Sequence, residues 1–510
     1  MLGITPPLST SVSSNEEVTL TYALIKSLKN QGAYESPRKE ELRKHVLKTL
    51  DTITKNCVKK LSKNMSTTGN AIVMTYGSYA IGVYGRNADI DTLCVLPFYI
   101  KRSLFFNEMA KALNADPDAK NVVVIANAMV PLLKFKYAGI SVDLICTSLN
   151  LDSIPEDLDV RDTSLLENLE LTCVRSLNGV RVASDILSLV PNYDTFSVAL
   201  RAVKLWASLR GIYSNTLGFF GGVAWAILVG RVCQLYPNAT ASTILSKFFN
   251  IMSKWNWPLP VMLCHIENHE KFGMVPWNRV SLKKKIAKLD LIHIMPIITP
   301  SYPSMCTTHN VTKSTMAIIV GELKYAAETM DRIMYGAAPW SELFNPRDFF
   351  TAYPHYLRLV VSSQSLGDLL SLSGYVESRL RGLVSSLEKE PSIAMAHPFS
   401  DTHQDTVQCN TAKDLAKAIG TKPTSIHSRF PFDITIHSKA LYIGLYFRYK
   451  TSGKEREKRK RRSHFFLILL GSEHARVDLT HRVNGFKHKM MQSEYMKNGT
   501  CWLTVESLTR

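Results

Sequence analysis

Asp89 and Asp91 stand two residues apart in Ala88-Asp89-Ile90-Asp91-Thr92-Leu93-Cys94-Val95. Side chains alternate along a strand, so positions i and i+2 face the same way. Two carboxylates held that close repel unless a cation lies between them, an arrangement that suits a divalent metal. Upstream lies Gly77-Ser78, a turn offering unblocked backbone N–H groups and a hydroxyl, which suits a phosphate. Asp-x-Asp alone is common in surface turns. Here Ile90, Leu93, Val95 and Leu96 give a buried-strand pattern, beside which a carboxylate pair is costly unless paired or ligated. A third carboxylate, Asp143, lies within the apolar run Ile140-Ser141-Val142-Asp143-Leu144-Ile145, which follows Val130-Pro131-Leu132-Leu133-Lys134-Phe135. Metal and phosphate groups in one small unit point to nucleotidyl transfer.

The elements that must position these groups are legible in outline. Residues 1–16, rich in Ser, Thr and Pro, are expected to be disordered. From 17 to 61 the period is helical, with Leu20, Leu24 and Leu28 on one face. Residues 71–147 alternate apolar strands with a helix near Phe105–Leu113. Residues 194–290 read as mostly helical, including Thr195–Leu209 and Gly222–Leu235, and 340–385 as helical again. Glu390–Pro431 reads as loop, followed by strands at Lys439–Lys450, Phe465–Leu470 and Thr500–Val505.

Composition narrows the partners. The 510 residues are enough for several domains, and the formal charge is +18. From Lys439 to Arg510 there are sixteen Lys/Arg against six Asp/Glu, which favours a polyanionic partner, nucleic acid ahead of membrane. Nine dispersed cysteines without Cys-x-x-Cys spacing read as reduced thiols of cytosol or nucleus. No signal peptide is read at the N-terminus, and the apolar run Leu217–Gly230 is too short to span a bilayer.

Beyond these residues the chain resembles the eukaryotic poly(A) polymerases of the polymerase-β-like nucleotidyltransferase superfamily, with wording such as Lys134-Phe135-Lys136 most similar to plant members. The resemblance rests on Tyr76-Gly77-Ser78-Tyr79-x-x-Gly82-Val83, Ala88-Asp89-Ile90-Asp91 and Val142-Asp143. It continues through Arg175-Ser176-Leu177-Asn178-Gly179, Lys204-Leu205-Trp206-Ala207, Tyr213-Ser214-Asn215, Gly218-Phe219-Phe220-Gly221-Gly222-Val223 and His293-Ile294-Met295-Pro296. Three positions depart from the family pattern: Ala80 for a usual Arg, Asn87 for a usual Gly, and Gly85 where some members carry Thr.

The resemblance implies an α+β protein of three domains. These are a nucleotidyltransferase domain at 17–190, a helical central domain at 191–340 and an RRM-like RNA-binding domain at 341–510. It implies template-independent addition of AMP from ATP to RNA 3′ ends, in mRNA polyadenylation, by catalysis through two Mg²⁺ or Mn²⁺ ions held by Asp89, Asp91 and Asp143. ATP would contact Tyr76, Gly77, Ser78, Ile90, Asn178, Lys204, Tyr213, Gly222 and Val223 besides the triad. Without the family match, Lys204 would read as part of a solvated face with Arg201 and Ser208, and Tyr213 as a core aromatic. Cleavage and polyadenylation factors are further expected partners, and the chain is expected to act as a monomer.

In the basic C-terminal part, Tyr442, Gly444, Tyr446, Arg448 and Lys450 would share one strand face. That mixture suits base stacking and phosphate contacts, and equally an ordinary amphipathic strand. The run Lys454–Arg462, with Arg459, Lys460, Arg461 and Arg462, reads as solvated loop, RNA-backbone patch or nuclear-import signal. A nuclear location is expected, with a cytoplasmic one as the alternative. Two other functional readings are a terminal uridylyltransferase and an RNA-binding scaffold with a decayed site. Nucleotide preference separates the first, and the intact carboxylates argue against the second.

Overall fold

A computed structural model describes residues 4–65, 67, 69–126, 130–269, 272–278, 290–419, 433–448, 477–496 and 500–509. Lys450, the basic run 454–462 and the expected strand 465–470 lie outside the described residues. The chain divides into two compact units. One comprises residues 1–206, 222–307 and 327–344, the other 207–221, 308–326 and 345–510.

In the first unit the expected helical lead is two helices, α1 (Asn15–Asn30) and α2 (Pro37–Asn64). Ser14 and Glu17 form a reciprocal capping box at the start of α1, and Pro37 opens α2 where its missing N–H costs nothing. Then come β1 (Ile72–Tyr76), the short α3 (Gly77–Ala80), β2 (Ile90–Pro97) and α4 (Arg102–Asn114). Strands β3 (Ala119–Ile125), β4 (Leu132–Tyr137) and β5 (Ile140–Leu149) complete a sheet of order β1-β2-β5-β4-β3. The β2–β5 pair is parallel and the other pairs antiparallel.

Both sheet faces are buried, which is why β2 and β5 read as continuous apolar runs. One face, with Ile90, Cys94, Val142 and Leu144, packs on Val46, Leu50 and Val58 of α2 and on Phe105 and Met109 of α4. The other, with Leu93, Val95 and Ile145, packs on Val174, Leu177 and Val180 of α5 (Leu171–Leu189). Helices α6 (Tyr193–Leu209), α7 (Gly222–Leu235) and α8 (Ala241–Met252) follow, with Trp206, Trp225, Phe248 and Phe249 fully buried together.

The expectation of a disordered N-terminal segment is corrected. Leu8 N–H donates to Leu235 O at 2.8 Å, Arg231 to the Thr5 hydroxyl at 2.9 Å, and Asn238 to Thr10 O at 2.7 Å. Its polar composition serves hydrogen bonds to the ends of α7 and α8 in place of apolar burial.

Helices α9 (Lys313–Met334) and α10 (Trp340–Leu343) precede the C-terminal part of the second unit. That part holds α11 (Phe349–Ala352), β6 (His355–Ser363), α12 (Leu366–Leu387), β7 (Ile393–Pro398), β8 (His403–Cys409) and α13 (Ala412–Ile419). Then follow β9 (Ile434–Phe447), α14 (Thr480–Met491) and β10 (Cys501–Thr509). The sheet runs β10-β6-β9-β7, with β8 also pairing β9, and every pair is antiparallel.

Two expectations are corrected here. Residues 355–363 are a strand rather than helix, because β6 lies between β10 and β9 and its central run is apolar on both faces, which carries no helix-or-strand period. Residues 393–419 are two strands and a helix rather than loop. In β8 the side chains are mostly exposed, so no alternation marks it. Tyr442 and Tyr446 are also not free for bases. They pack against Phe350 and Tyr353, ring centroids 5.0 Å apart in each case, and the Tyr446 hydroxyl donates to Ala352 O.

Candidate active site

Strand register brings four chemistry-bearing side chains into one row across the first sheet. Tyr76 on β1 pairs with Asp91 on β2, Asp91 with Asp143 on β5, and Asp143 with Lys134 on β4. Asp89 precedes β2 by one residue and joins them by the two-residue period. Oxygen atoms of Asp89, Asp91 and Asp143 lie within 4.8 Å of one another. Burial first, and then the Asp89 and Asp143 charges, push the Asp91 carboxyl up to about 7. Lys134 Nζ answers part of this charge, pairing with Asp143 Oδ2 at 2.5 Å. Three oxygen-bearing acids, one of them driven toward its neutral form by burial and by the others, fit a hard divalent cation.

The loops beside the row are built around it. Gly77 has φ +65°, and a Cβ there would lie 2.2 Å from Asp91 Oδ2, so only glycine lets this turn approach the carboxylate. Ser78 follows at the start of α3. Asn87, in place of the family's usual glycine, has φ +63°, a left-handed conformation that asparagine tolerates, and its Oδ1 accepts from Lys39 at 3.1 Å. Gly85 is different. A Cβ there would meet nothing closer than 3.9 Å, so a β-carbon fits without rearrangement. Ala88, next to Asp89, is held through its carbonyl by Arg43 at 2.6 Å. That guanidinium is buried and paired with the equally buried Glu35 at 3.2 Å.

Helix α5 faces the same side of the sheet as Asp91. Gly179 leaves room for Tyr76, whose ring carbon would lie 3.0 Å from an added Cβ. Neighbouring Asn178 has a buried Oδ1 with no hydrogen-bond partner among the described residues. On α6, Lys204 donates to Val83 O at 2.9 Å. Burial, and then the Arg201 charge, bring its ammonium down to about 8, against the opposing pull of Asp89 and Asp91. Arg201 is not part of a solvated face: it donates to the carbonyls of Ala33, Tyr84 and Gly82, fastening the turn after Gly77 to the α1–α2 connection.

Other expected residues are placed differently. Ile90 is fully buried on the sheet face opposite the triad, so only its backbone is available to a ligand. Gly222 and Val223 open α7, half-buried, in the first unit. Tyr213 belongs to the second unit, where its backbone bridges to Phe220. Arg448 is exposed with its N–H on Ser392 O, while Lys450, Arg459, Lys460, Arg461 and Arg462 lie outside the described residues. Sequence reasoning missed Lys134 and Arg43. The first had a signal, since Lys134 and Lys136 alternate with buried Leu133 and Phe135 on β4.

Family models describing the nucleotidyltransferase, central and predicted RNA-binding domains of poly(A) polymerase match residues 3–190, 195–346 and 348–510. Poly(A) polymerase pla1 of Schizosaccharomyces pombe is 45% identical over 81% of this chain and 73% of its own length. Poly(A) polymerase PAPalpha of Candida albicans is 42% identical over 82% and 76%. For the poly(A) polymerase of Dictyostelium discoideum the figures are 41% over 78% and 49%. The solved structure of a cytoplasmic RNA terminal U-transferase is more distant, with a TM-score of 0.46 at 15% identity over 65% of this chain and 100% of that one. The acid row, the glycine turn before it and these matches along nearly the whole length place the chain in the poly(A) polymerase family.

Proposed function

We propose that this chain adds AMP from ATP to RNA 3′ ends without a template, releasing pyrophosphate, with Mg²⁺ or Mn²⁺ held by Asp89, Asp91 and Asp143. The observation that carries the reading is the three-carboxylate cluster within 4.8 Å, in a chain 45% identical to a poly(A) polymerase. Divalent ions at such a site acidify an attacking hydroxyl and neutralise the leaving pyrophosphate.

The chain's own groups then have separable tasks. Asp91 exchanges its raised affinity for a proton for affinity to a cation, because both relieve the same repulsion. Lys134 pairs with Asp143 and orients its carboxylate. Lys204, aimed from α6 and brought down to about 8 chiefly by burial, still offers a cation to the triphosphate at neutral pH. The unpartnered Asn178 Oδ1 is available to a donor on the sugar or base. Gly77 and Ser78 bring backbone N–H and hydroxyl donors to phosphate oxygens beside Asp91. Positioning and electrostatics of this kind supply catalysis without a covalent intermediate.

A primer-extension assay with each of the four nucleoside triphosphates on one RNA primer tests the reading. Extension with ATP far above the others is expected, and preferential use of UTP would replace it with a uridylyltransferase. A nuclear location, work as a monomer and engagement of cleavage and polyadenylation factors extend the same proposal. Imaging of the intact chain tests the first, and an exclusively cytoplasmic signal would remove it.

A further inference from the structure

Helices α12 and α14 of the second unit form an open groove of about 460 Å³. Arg379, Arg381, His481, Arg482 and Lys489 line it, and its lining holds no acidic side chain. Leu383, Phe486 and Met490, all buried, fix the two helices to each other beneath it. The Arg379 guanidinium lies over the Tyr375 ring at 3.5 Å, and Arg482 reaches Glu390 only at 3.8 Å. Arg381 is half-buried and has no hydrogen-bond or ion-pair partner among the described residues. Its burial lowers its proton affinity, the direction expected for a charge without an anion nearby.

The floor of this groove is peculiar. Gly382 lies within α12 and Gly485 within α14, each exposed, and an added Cβ at either would meet nothing within 4 Å. Glycine inside a helix costs about 1 kcal/mol relative to alanine. Packing within the chain does not demand these two. A missing Cβ at these positions leaves the helix surface open to the close approach of an incoming group.

We propose that the groove between α12 and α14 is a binding track for the phosphate backbone of single-stranded RNA, with Arg381, Arg482 and Lys489 on phosphates. The assignment rests on the reading that this chain acts on RNA. RNA is favoured over an acidic peptide because residues 348–510 match a predicted RNA-binding domain. The aromatic face of β9 that would serve base stacking is closed by Phe350 and Tyr353. Among the described residues this groove offers another surface, cationic and concave, with Arg381 unpaired within it.

The test is fluorescence anisotropy of labelled oligo(A) with the full chain across a salt series, in EDTA and without ATP. Combined Arg381→Gln, Arg482→Gln and Lys489→Gln should weaken binding at low salt. Each single-strand phosphate contact contributes roughly 0.7 to the log–log salt slope, so the slope should become shallower by about 2. Gly485→Ala should raise Tm through helix propensity yet still weaken oligo(A) binding, which a purely structural groove would not do. Unchanged affinity and slope in the triple variant, or unchanged affinity in a stabilised Gly485→Ala, would overturn the proposal. Loss of binding to a polyglutamate probe with oligo(A) unaffected would overturn it too, in favour of a protein partner. Groove-dependent RNA binding in a chain that incorporates no AMP would support the groove and sink the polymerase reading. Normal incorporation with unaltered RNA binding would do the reverse.

Discussion

A β-carbon on Gly77 would sit 2.2 Å from Asp91 Oδ2, so the turn and the carboxylate exclude any side chain at position 77. Gly77→Ala must therefore move either the turn or the acid, and the positive φ adds about 1 kcal/mol of strain. A fall in AMP incorporation of at least about a hundredfold is expected, since small displacements at a reacting centre cost that much. The melting temperature should drop by only a few degrees. Primer extension and thermal melts on the same preparation check this. Full activity would mean that the turn does not contribute to the site.

Asp91→Asn separates catalysis from stability. It should abolish extension while raising the stability of the metal-free protein, because it removes the central charge of three. The pH dependence has a definite sign. An unfolded aspartate titrates near about 3.9, whereas burial and its neighbours hold native Asp91 up to about 7. Between those values the native state binds more protons, so stability falls as pH rises, and levels above about 7. Denaturant melts in EDTA should show this decline in the parent and a smaller one in Asp91→Asn. Divalent cation should offset it in the parent only.

Lys204 sets an alkaline limit. Its ammonium is brought down to about 8, so KM for ATP should rise as pH passes that value while RNA affinity holds. Lys204→Met should show a high KM with no inflection near pH 8. Lys204→Arg, which stays protonated, should flatten the profile. A parent profile flat to pH 9 would mean that Lys204 does not meet the triphosphate as a cation.

Arg43 and Glu35 form a buried pair that also holds the Ala88 carbonyl. Breaking such a pair from one side costs about 3–5 kcal/mol, because the remaining charge has no partner. Arg43→Met alone should be strongly destabilised in urea melts. Pairing it with Glu35→Leu should recover much of the stability but not the activity, since the Ala88 carbonyl beside Asp89 stays unheld. Recovery of both would show that the guanidinium matters only for folding.

The site was legible where period and residue type coincide. The two-residue spacing of Asp89 and Asp91 is enough to put both on one side of a strand, and Asp143 stands out in an apolar run. The second partner strand of β2 was not legible, because it is the distant β5, and register across a crossover is set by the sheet as a whole. Arg201 read as part of a solvated face and Arg43 drew no reading, because nothing local announces that a guanidinium will be buried on carbonyls far along the chain. In the second unit, β6 was hidden by being apolar on both sides and β8 by being polar throughout. Both are readings that only strand neighbours can supply.

The row Tyr76–Asp91–Asp143–Lys134 draws one residue from each of four strands. It therefore works as a parity check on the sheet. Shifting any one strand by a single position turns its contribution to the opposite face. A misfolded or partly melted sheet cannot keep a fraction of the carboxylate cluster, and the enzyme fails silent rather than error-prone. Loss of activity should thus precede the loss of bulk helix signal on mild denaturation, making catalysis itself a sensitive gauge of strand register.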